Sequence, residues 1–266
     1  MKSVIVTGAS SGIGKAASTK LAGAGYKVYG LARSFDKLQE MARRLANFVP
    51  VEFDVARPDR FDKVLDPIIA SGVFGLVNNA GYVEPGAIED LSMESIRAQF
   101  ETNFFGLVGV TKKVLPTLIA QKEGRIVNVS SMAGMVSLPT IGMYCATKHA
   151  LEAFTEALRI ELWNTGIKVA SINPGVIETN IHSVTDEKVS QLKNSRFAKA
   201  YRKYLRETPR GLPASIVADA IHDAVSSPKP KYRYLLGSAK EKAGVRLRRI
   251  APDDTIHALV ARRVLE

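Results

Sequence analysis

Tyr144 and Lys148 stand four residues apart in the stretch MYCATKHAL, where a segment with helical periodicity begins. Four residues make about one helical turn, so the phenol and the ammonium lie on the same side of the helix. An ammonium beside a phenol favours the charged phenolate, which can then exchange a proton with a substrate oxygen. The neighbours Met143, Cys145 and Leu151 indicate packed surroundings. The pair is therefore a candidate for proton transfer.

A second candidate site is the glycine-rich stretch VTGASSGIGKA, which lies between an apolar run and a helical segment. Glycines allow the chain to turn tightly and let its backbone approach a pyrophosphate, whose charge is met by N–H groups at the helix N-terminus. The spacing differs from the common G-x-G-x-x-G pattern, and a plain structural turn is the alternative. The predicted cofactor-binding residues of this turn are Gly8, Ser10, Ser11, Gly12, Ile13 and Gly14.

The next apolar run ends in GLARS, where an NAD-binding site would place a carboxylate on the ribose hydroxyls. Ala32 and Arg33 stand there instead. Arg33, with Ser34 beside it, could bind a 2′-phosphate through charge-assisted hydrogen bonds, which favours NADP over NAD. An ordinary solvated arginine is the alternative interpretation.

Short apolar runs alternate with longer segments of helical period, which predicts alternating strands and helices. The apolar runs are SVIVTG, KVYGLA, VPVEFDV, GLVNNAG, GRIVNVSS, IKVASINPG and YRYLLG, and the helical segments cover 12–24, 35–46, 59–70, 93–121, 144–164 and 213–225. Strands this apolar must be covered on both faces, and helical crossovers imply parallel pairing. The sequence therefore predicts a single α/β domain, a doubly wound, Rossmann-like parallel sheet with helices on both faces.

Positive charge is concentrated late in the chain. The whole chain carries +11, whereas residues 188–210 hold eight Lys and Arg against one Glu, and residues 229–266 hold ten against four acidic residues. Residues 189–207 have the period of a basic amphipathic helix, which we expect to be part of a substrate lid at about 177–212. The main domain is then 1–239, followed by a basic helical extension at 240–266.

These basic segments leave their binding partner open. A solvated face is the simplest explanation. The alternatives are attraction of an acidic substrate, such as an acyl group on a phosphopantetheine carrier, and weak contact of the extension with an anionic membrane surface. We expect no nucleic acid as partner, because no recognisable reading module accompanies the charge.

The remaining composition is that of a globular protein, with 46% hydrophobic and 24% charged residues. The start MKSVIVTGAS lacks the long apolar core of a secretory signal, so a cytoplasmic location is expected. One cysteine excludes an internal disulfide, and the four histidines share no ligand spacing, so no metal site is predicted.

Five stretches now resemble the short-chain dehydrogenase/reductase family in its most common branch. They are TGASSGIG, NNAG at 78–81, NVSS at 128–131, YCATK at 144–148 and NPG at 173–175, in the family's order and spacing. The resemblance covers residues 3–180 and is greatest to hydroxysteroid and retinol dehydrogenase-like members. It implies hydride transfer between a nicotinamide cofactor and a carbonyl or alcohol group.

By position, the resemblance implies roles for individual residues. Tyr144 is the general acid and base, Lys148 also holds the nicotinamide ribose, Ser131 orients the substrate oxygen, and Asn103 links Lys148 to solvent. The further cofactor-binding residues that it implies are Asp54 and Val55 beside the adenine, Asn79, Ala80 and Gly81 along the cofactor, and Pro174, Gly175, Ile177 and Thr179 near the nicotinamide.

The substrate is predicted from the apolar stretch SMAGMVSLPTIGM that precedes Tyr144. Such surroundings suit a hydrophobic carbonyl compound or its alcohol, such as a steroid, retinoid or lipid, and simple core packing is the alternative interpretation. The predicted function is thus an NADP(H)-dependent oxidoreductase. The alternatives are a 3-oxoacyl thioester reductase of fatty-acid metabolism and a non-catalytic NADP-binding regulatory protein. The long helices resemble those that pair subunits in the family, which implies a homodimer or homotetramer.

Overall fold

The centre of the protein is a seven-stranded, fully parallel sheet. The computed structural model describes residues 1–178, 189, 192–207, 211–248 and 250–265. The strands are β1 Ser3–Thr7, β2 Lys27–Ala32, β3 Phe48–Glu52, β4 Gly75–Asn78, β5 Gly124–Val129, β6 Ile167–Pro174 and β9 Arg233–Leu236, with a separate pair formed by β7 Ile177–Glu178 and β8 Leu212–Pro213. The order of strands in the large sheet is β3-β2-β1-β4-β5-β6-β9. The predicted single-domain, Rossmann-like fold is confirmed.

Helices cover both faces of the sheet. They are α1 Gly12–Gly23, α2 Phe35–Arg44, α3 Phe61–Ala70, α4 Met93–Phe100, α5 Gly106–Gln121, α6 Gly142–Glu161, α7 Ala198–Glu207, α8 Ala214–Ser226, α9 Ala239–Leu247 and α10 Asp253–Leu265. Successive strand residues point to opposite faces, so Val4 and Val6 pack with α1 and α8, whereas Ile5 packs with α3 and α5. The near-complete burial of β1 explains its unbroken apolar sequence.

The strand order reverses next to β1, because β2 and β3 lie on one side of it and β4, β5 and β6 on the other. In open parallel sheets, ligands bind at the carboxyl ends of the strands beside such a reversal. The glycine-rich turn follows β1, and the stretches NNAG and NVSS run out of β4 and β5. The topology thus brings these motifs to one edge of the sheet.

The helix predicted over 93–121 is interrupted. Residues Glu101–Phe105 form a π-helical turn between α4 and α5, with the Gly106 N–H bonded to the Glu101 carbonyl. At Gly106 the chain packs so closely on Val55 that a Cβ would lie 2.3 Å from the Val55 carbonyl oxygen. Such turns widen a helix locally and often occur at functional sites. Here the turn contains Asn103.

The basic helix predicted over 189–207 is interrupted. Val189 is helical, but residues 192–197 form turns before α7 starts at Ala198. The Ser195 hydroxyl accepts a hydrogen bond from the Phe197 N–H and donates one of 2.7 Å to Asp90. Side-chain bonds of this kind compete with helix formation. Within the described ranges, no helix is long and apolar enough to cross a membrane.

Candidate active site

The glycine-rich turn joins β1 to α1 in a conformation that requires glycine. Gly8 and Gly12 have φ angles of +67° and +49°. A Cβ on Gly14 would lie 2.1 Å from the Gly8 carbonyl oxygen, so the helix can approach the strand only without a side chain there. The first N–H groups of α1 have no acceptor within the helix and carry its positive dipole end. Together with Ser10, Ser11 and Ile13 in the same turn, this cradle fits a pyrophosphate.

The turn is held to β4 by Thr7. Its hydroxyl oxygen accepts hydrogen bonds of 3.0 Å from the N–H groups of both Asn79 and Ala80. The Asn79 side chain donates a bond of 2.9 Å to the Thr7 carbonyl and one of 3.3 Å to that of Gly8. These bonds fix the floor of the predicted cofactor site where the strand order reverses.

The residues predicted for the adenine half lie at the carboxyl ends of β2 and β3. Arg33 and Ser34 follow β2, and both are exposed. The Asp54 carboxylate accepts a hydrogen bond of 2.9 Å from the Ala56 N–H, which fixes the turn after β3, and Val55 is buried beside it. An exposed guanidinium next to a hydroxyl fits a phosphate group.

Lys148 is buried within α6. Its amine donates a hydrogen bond of 2.8 Å to the Val129 carbonyl, at the end of β5, and lies 5.7 Å from the centre of the Tyr144 ring. Burial lowers the pKa of Lys148 to about 8, while the negative charge of Glu152 acts in the opposite direction. The amine is therefore mostly charged at neutral pH but readily loses its proton.

Asn103 is fully buried on the π-helical turn. Its amide accepts a hydrogen bond of 2.9 Å from the Tyr82 N–H and donates one of 2.8 Å to the Tyr82 carbonyl. It also contacts the Thr147 hydroxyl at 3.3 Å, and that hydroxyl donates to the Tyr144 carbonyl. A Cβ on Gly81 would lie 3.1 Å from the Asn103 side-chain oxygen and 3.8 Å from the Lys148 amine. Asn103 and Lys148 therefore flank one glycine.

Ser131 lies two residues beyond β5 in extended backbone. Its hydroxyl donates a hydrogen bond of 3.2 Å to the Pro174 carbonyl and accepts one from the Ala133 N–H. The hydroxyl is thereby held between β5 and the end of β6. The structure thus links Asn103 to Tyr144 through the Thr147 hydroxyl and to Lys148 across Gly81. Ser131 follows by two residues the Val129 carbonyl to which the Lys148 amine donates.

A network of buried polar side chains lies behind these residues. The Glu152 carboxylate accepts hydrogen bonds from Ser171 at 2.6 Å, from Asn173 at 2.7 Å and from Arg233 at 2.7 and 3.1 Å. The Asn173 amide also donates to the Ser131 carbonyl at 3.4 Å. Glu152 therefore connects β6 and β9 to the backbone of Ser131.

The residues predicted for the nicotinamide half follow β6. Pro174 ends that strand, Gly175 donates a hydrogen bond of 2.7 Å to the Leu236 carbonyl, and buried Ile177 begins β7. Thr179 lies outside the described residues. In the strand order, this segment follows β6 and Arg33 follows β2, with β1, β4 and β5 between them. The two ends of an extended dinucleotide require such a separation.

Four residues that hold the site together were not predicted from the sequence: Thr7, Thr147, Glu152 and Glu241. Glu152 had a local signal, because it is a carboxylate one helical turn after Lys148 on the same buried side of α6. Thr7 had a weaker one, as a polar residue that ends an apolar strand. Glu241 had none, because its partner Val176 is 65 residues away.

Comparison with known proteins agrees with this geometry. The family model described as short chain dehydrogenase matches residues 2–190, and the chain belongs to the short-chain dehydrogenase/reductase family of oxidoreductases. The oxidoreductase YbbO of Escherichia coli is 37% identical over 236 residues, 88% of this chain and 84% of the relative. The NADPH-dependent 3-dehydrocapnine reductase of Ornithobacterium rhinotracheale is 34% identical over 253 residues, 90% and 89% of the two chains. A short-chain dehydrogenase structure from Streptomyces avermitilis matches with a TM-score of 0.80 at 29% identity, covering 98% of this chain and 95% of that one.

Proposed function

We propose that the protein is an NADP(H)-dependent oxidoreductase that interconverts a hydrophobic carbonyl compound and its alcohol. One observation carries the proposal. The Lys148 amine is buried, lies 5.7 Å from the centre of the Tyr144 ring, and donates a hydrogen bond to the last residue of the strand that leads to Ser131. A buried lysine beside a tyrosine is costly for stability, and such groups concentrate at functional sites.

The residues divide the work of the reaction. A nicotinamide cofactor held by the glycine-rich turn and Lys148 would supply or accept the hydride. The Tyr144 hydroxyl gives a proton to the substrate oxygen during reduction and takes it back during oxidation. The Lys148 ammonium favours the phenolate that this exchange leaves behind. The Ser131 hydroxyl orients the substrate oxygen, and Asn103 connects Lys148 to solvent.

The preference for NADP is inferred from Arg33. An exposed arginine at the end of β2, in place of a carboxylate, suits a 2′-phosphate and lacks the acceptor that a carboxylate gives to the ribose hydroxyls of NAD. The NADPH dependence named for the Ornithobacterium rhinotracheale relative supports the same assignment.

A hydrophobic substrate is inferred from a cavity of about 530 Å³ beside the segment that separates Ser131 from Tyr144 in the chain. The volume is typical of a small-molecule site. Ser131 and Tyr144 are not among its lining residues, so we assign it to the remote part of a substrate. Its apolar lining comes from the loop after β4, the segment before α6, the turn before α7, and α10: Ala87, Ile88, Val136, Leu138, Pro139, Phe197, Ile256, Val260, Ala261 and Leu265.

A homodimer or homotetramer is proposed from α5, α6 and the turns that flank them. Phe105, Ile119, Ile160 and Trp163 are 53%, 44%, 66% and 73% exposed. Large apolar side chains exposed on neighbouring helices indicate an interaction surface. A cytoplasmic location and weak membrane contact of the extension stay predictions of the sequence.

The proposal is tested by titrating the purified protein with NADPH and with NADH, and then measuring turnover on a panel of steroid, retinoid, acyl thioester and sugar carbonyls. We expect tighter binding of NADPH and turnover of bulky apolar carbonyls. Preferred turnover of acyl thioesters would favour the 3-oxoacyl reductase. Binding of NADPH without turnover of any carbonyl would favour the regulatory protein.

A further inference from the structure

We infer that Glu241, in the C-terminal extension, is a positioning residue for the nicotinamide half of the cofactor, which it controls through the backbone of Gly175 and Val176. The inference rests on the proposed function. Glu241 lies beyond residue 190, where the match to the family model ends. It would make the extension part of the cofactor site.

The Glu241 carboxylate is packed directly against the segment that follows β6. One of its oxygens accepts a hydrogen bond of 2.9 Å from the Val176 N–H. A Cβ on Gly175 would lie 2.3 Å from the same oxygen, so glycine leaves the space that the carboxylate fills. The Gly175 N–H is bonded to the Leu236 carbonyl. The consecutive N–H groups of Gly175 and Val176 are thus bonded to Leu236, just before the extension, and to Glu241, within it.

The carboxylate is itself held in place by the start of α9. Its second oxygen accepts hydrogen bonds of 2.7 Å from both the N–H and the hydroxyl of Ser238, in a capping box. Partial burial alone would raise the pKa of Glu241, but the bonds from Val176 and Ser238 lower it below its ordinary value. The group is therefore a charged, rigidly placed acceptor.

The contact between Glu241 and Val176 lies near the expected nicotinamide end of the cofactor and away from the adenine end. Gly175 and Val176 follow β6, next to Ser131, whose hydroxyl bonds the Pro174 carbonyl. Arg33 and the glycine-rich turn lie at β2 and β1, on the other side of β4 and β5. Loosening the Gly175–Val176 turn lowers the fraction of molecules that can bind the nicotinamide end, and apparent affinity falls by the same fraction. The adenine end is unaffected.

The test is calorimetric titration of wild type and Glu241→Ala with two ligands, NADPH and 2′-phospho-ADP-ribose, which lacks the nicotinamide. We expect the variant to bind NADPH on the order of tenfold more weakly, the usual effect of losing a hydrogen bond to a charged group. Its Kd for 2′-phospho-ADP-ribose should stay within about twofold of wild type, since the adenine end is held elsewhere. Glu241→Gln, which keeps an acceptor for the Val176 N–H, should recover most of the NADPH affinity.

Asp254→Ala is the matched control, because it removes an exposed carboxylate of the same extension, in the first turn of α10. It should keep the NADPH affinity of wild type. Equal weakening of both ligands by Glu241→Ala, or unchanged binding of NADPH, would overturn the inference. Failure of the wild type to bind either NADPH or NADH would instead contradict the proposed function, and the inference with it.

Discussion

The Lys148 amine donates a hydrogen bond of 2.8 Å to the carbonyl of Val129, the last residue of β5. This bond fastens α6 to the strand that leads to Ser131 and fixes the amine beside the Tyr144 ring. Because the amine is buried, the charge that favours the phenolate is present at a cost in folding stability. The site thus depends on an amine whose burial favours the neutral form.

A pH-dependent stability follows from this burial. The pKa of Lys148 is about 8 in the folded protein, against an ordinary value of 10.5. Between these values the unfolded chain binds more protons than the folded one, so stability rises with pH. From pH 7 to pH 10, wild type should gain about 2 to 3 kcal/mol in free energy of unfolding relative to Lys148→Met. Urea unfolding at both pH values measures this gain. The exposed Lys63→Met serves as control, and parallel pH dependences of wild type and Lys148→Met would contradict the burial.

Cofactor preference should depend on Arg33. The substitution Arg33→Asp removes the guanidinium and adds a carboxylate that suits the ribose hydroxyls of NAD. The ratio of Kd for NADH to Kd for NADPH should fall by on the order of a hundredfold, the value of a lost bidentate charge-assisted contact. Arg43→Asp changes the charge equally on α2 and should leave the ratio unchanged. An unaltered ratio in Arg33→Asp would mean that the 2′-phosphate is bound elsewhere.

The Glu152–Arg233 pair should stabilise the fold more than surface ion pairs do. Their side chains are 9% and 24% exposed, and the arginine donates two bonds to one carboxylate oxygen. A double-mutant cycle with Glu152→Gln and Arg233→Met should give a coupling of about 1 to 3 kcal/mol in urea unfolding. The exposed pair Lys2–Glu123 is the matched comparison and should give less than about 1 kcal/mol. Equal coupling free energies for the two pairs would show that the buried pair stabilises the fold no more than the exposed one.

The cavity that α10 lines in part should affect KM for large substrates and not for small ones. Val260 lines it, whereas the adjacent Leu259 is 56% exposed and does not. Val260→Glu introduces a carboxylate where apolar substrate surface would be buried, so KM for a bulky apolar carbonyl should rise on the order of tenfold. Leu259→Glu should leave that KM unchanged, and a small carbonyl should be insensitive to both. Equal effects on large and small substrates would remove the cavity from substrate binding.

Much of this arrangement could be predicted from local pattern. The strands are apolar throughout because both faces are covered, so alternation with helices was sufficient to predict the parallel sheet. The motif residues then fall at one edge, since they follow strands whose carboxyl ends coincide.

Features that depend on distant contacts could not be predicted. Helical periodicity continues through residues 101–105, whereas the π-helical turn there accompanies the two hydrogen bonds between Asn103 and the Tyr82 backbone and the approach of Gly106 to Val55. The bond from Val176 to Glu241 likewise joins residues that no local pattern relates.

The measurement that tests the central claim most directly is the rate of NADPH oxidation by Tyr144→Phe with a carbonyl that wild type reduces. The variant keeps the ring and loses the hydroxyl. It should bind NADPH with the wild-type Kd and turn over at least about a hundredfold more slowly, as expected when a general acid is removed. Tyr29→Phe removes a hydroxyl that bonds Ser71, far from the site, and should retain the full rate. A rate for Tyr144→Phe close to that of wild type would contradict the proposed role of the tyrosine and the mechanism built on it.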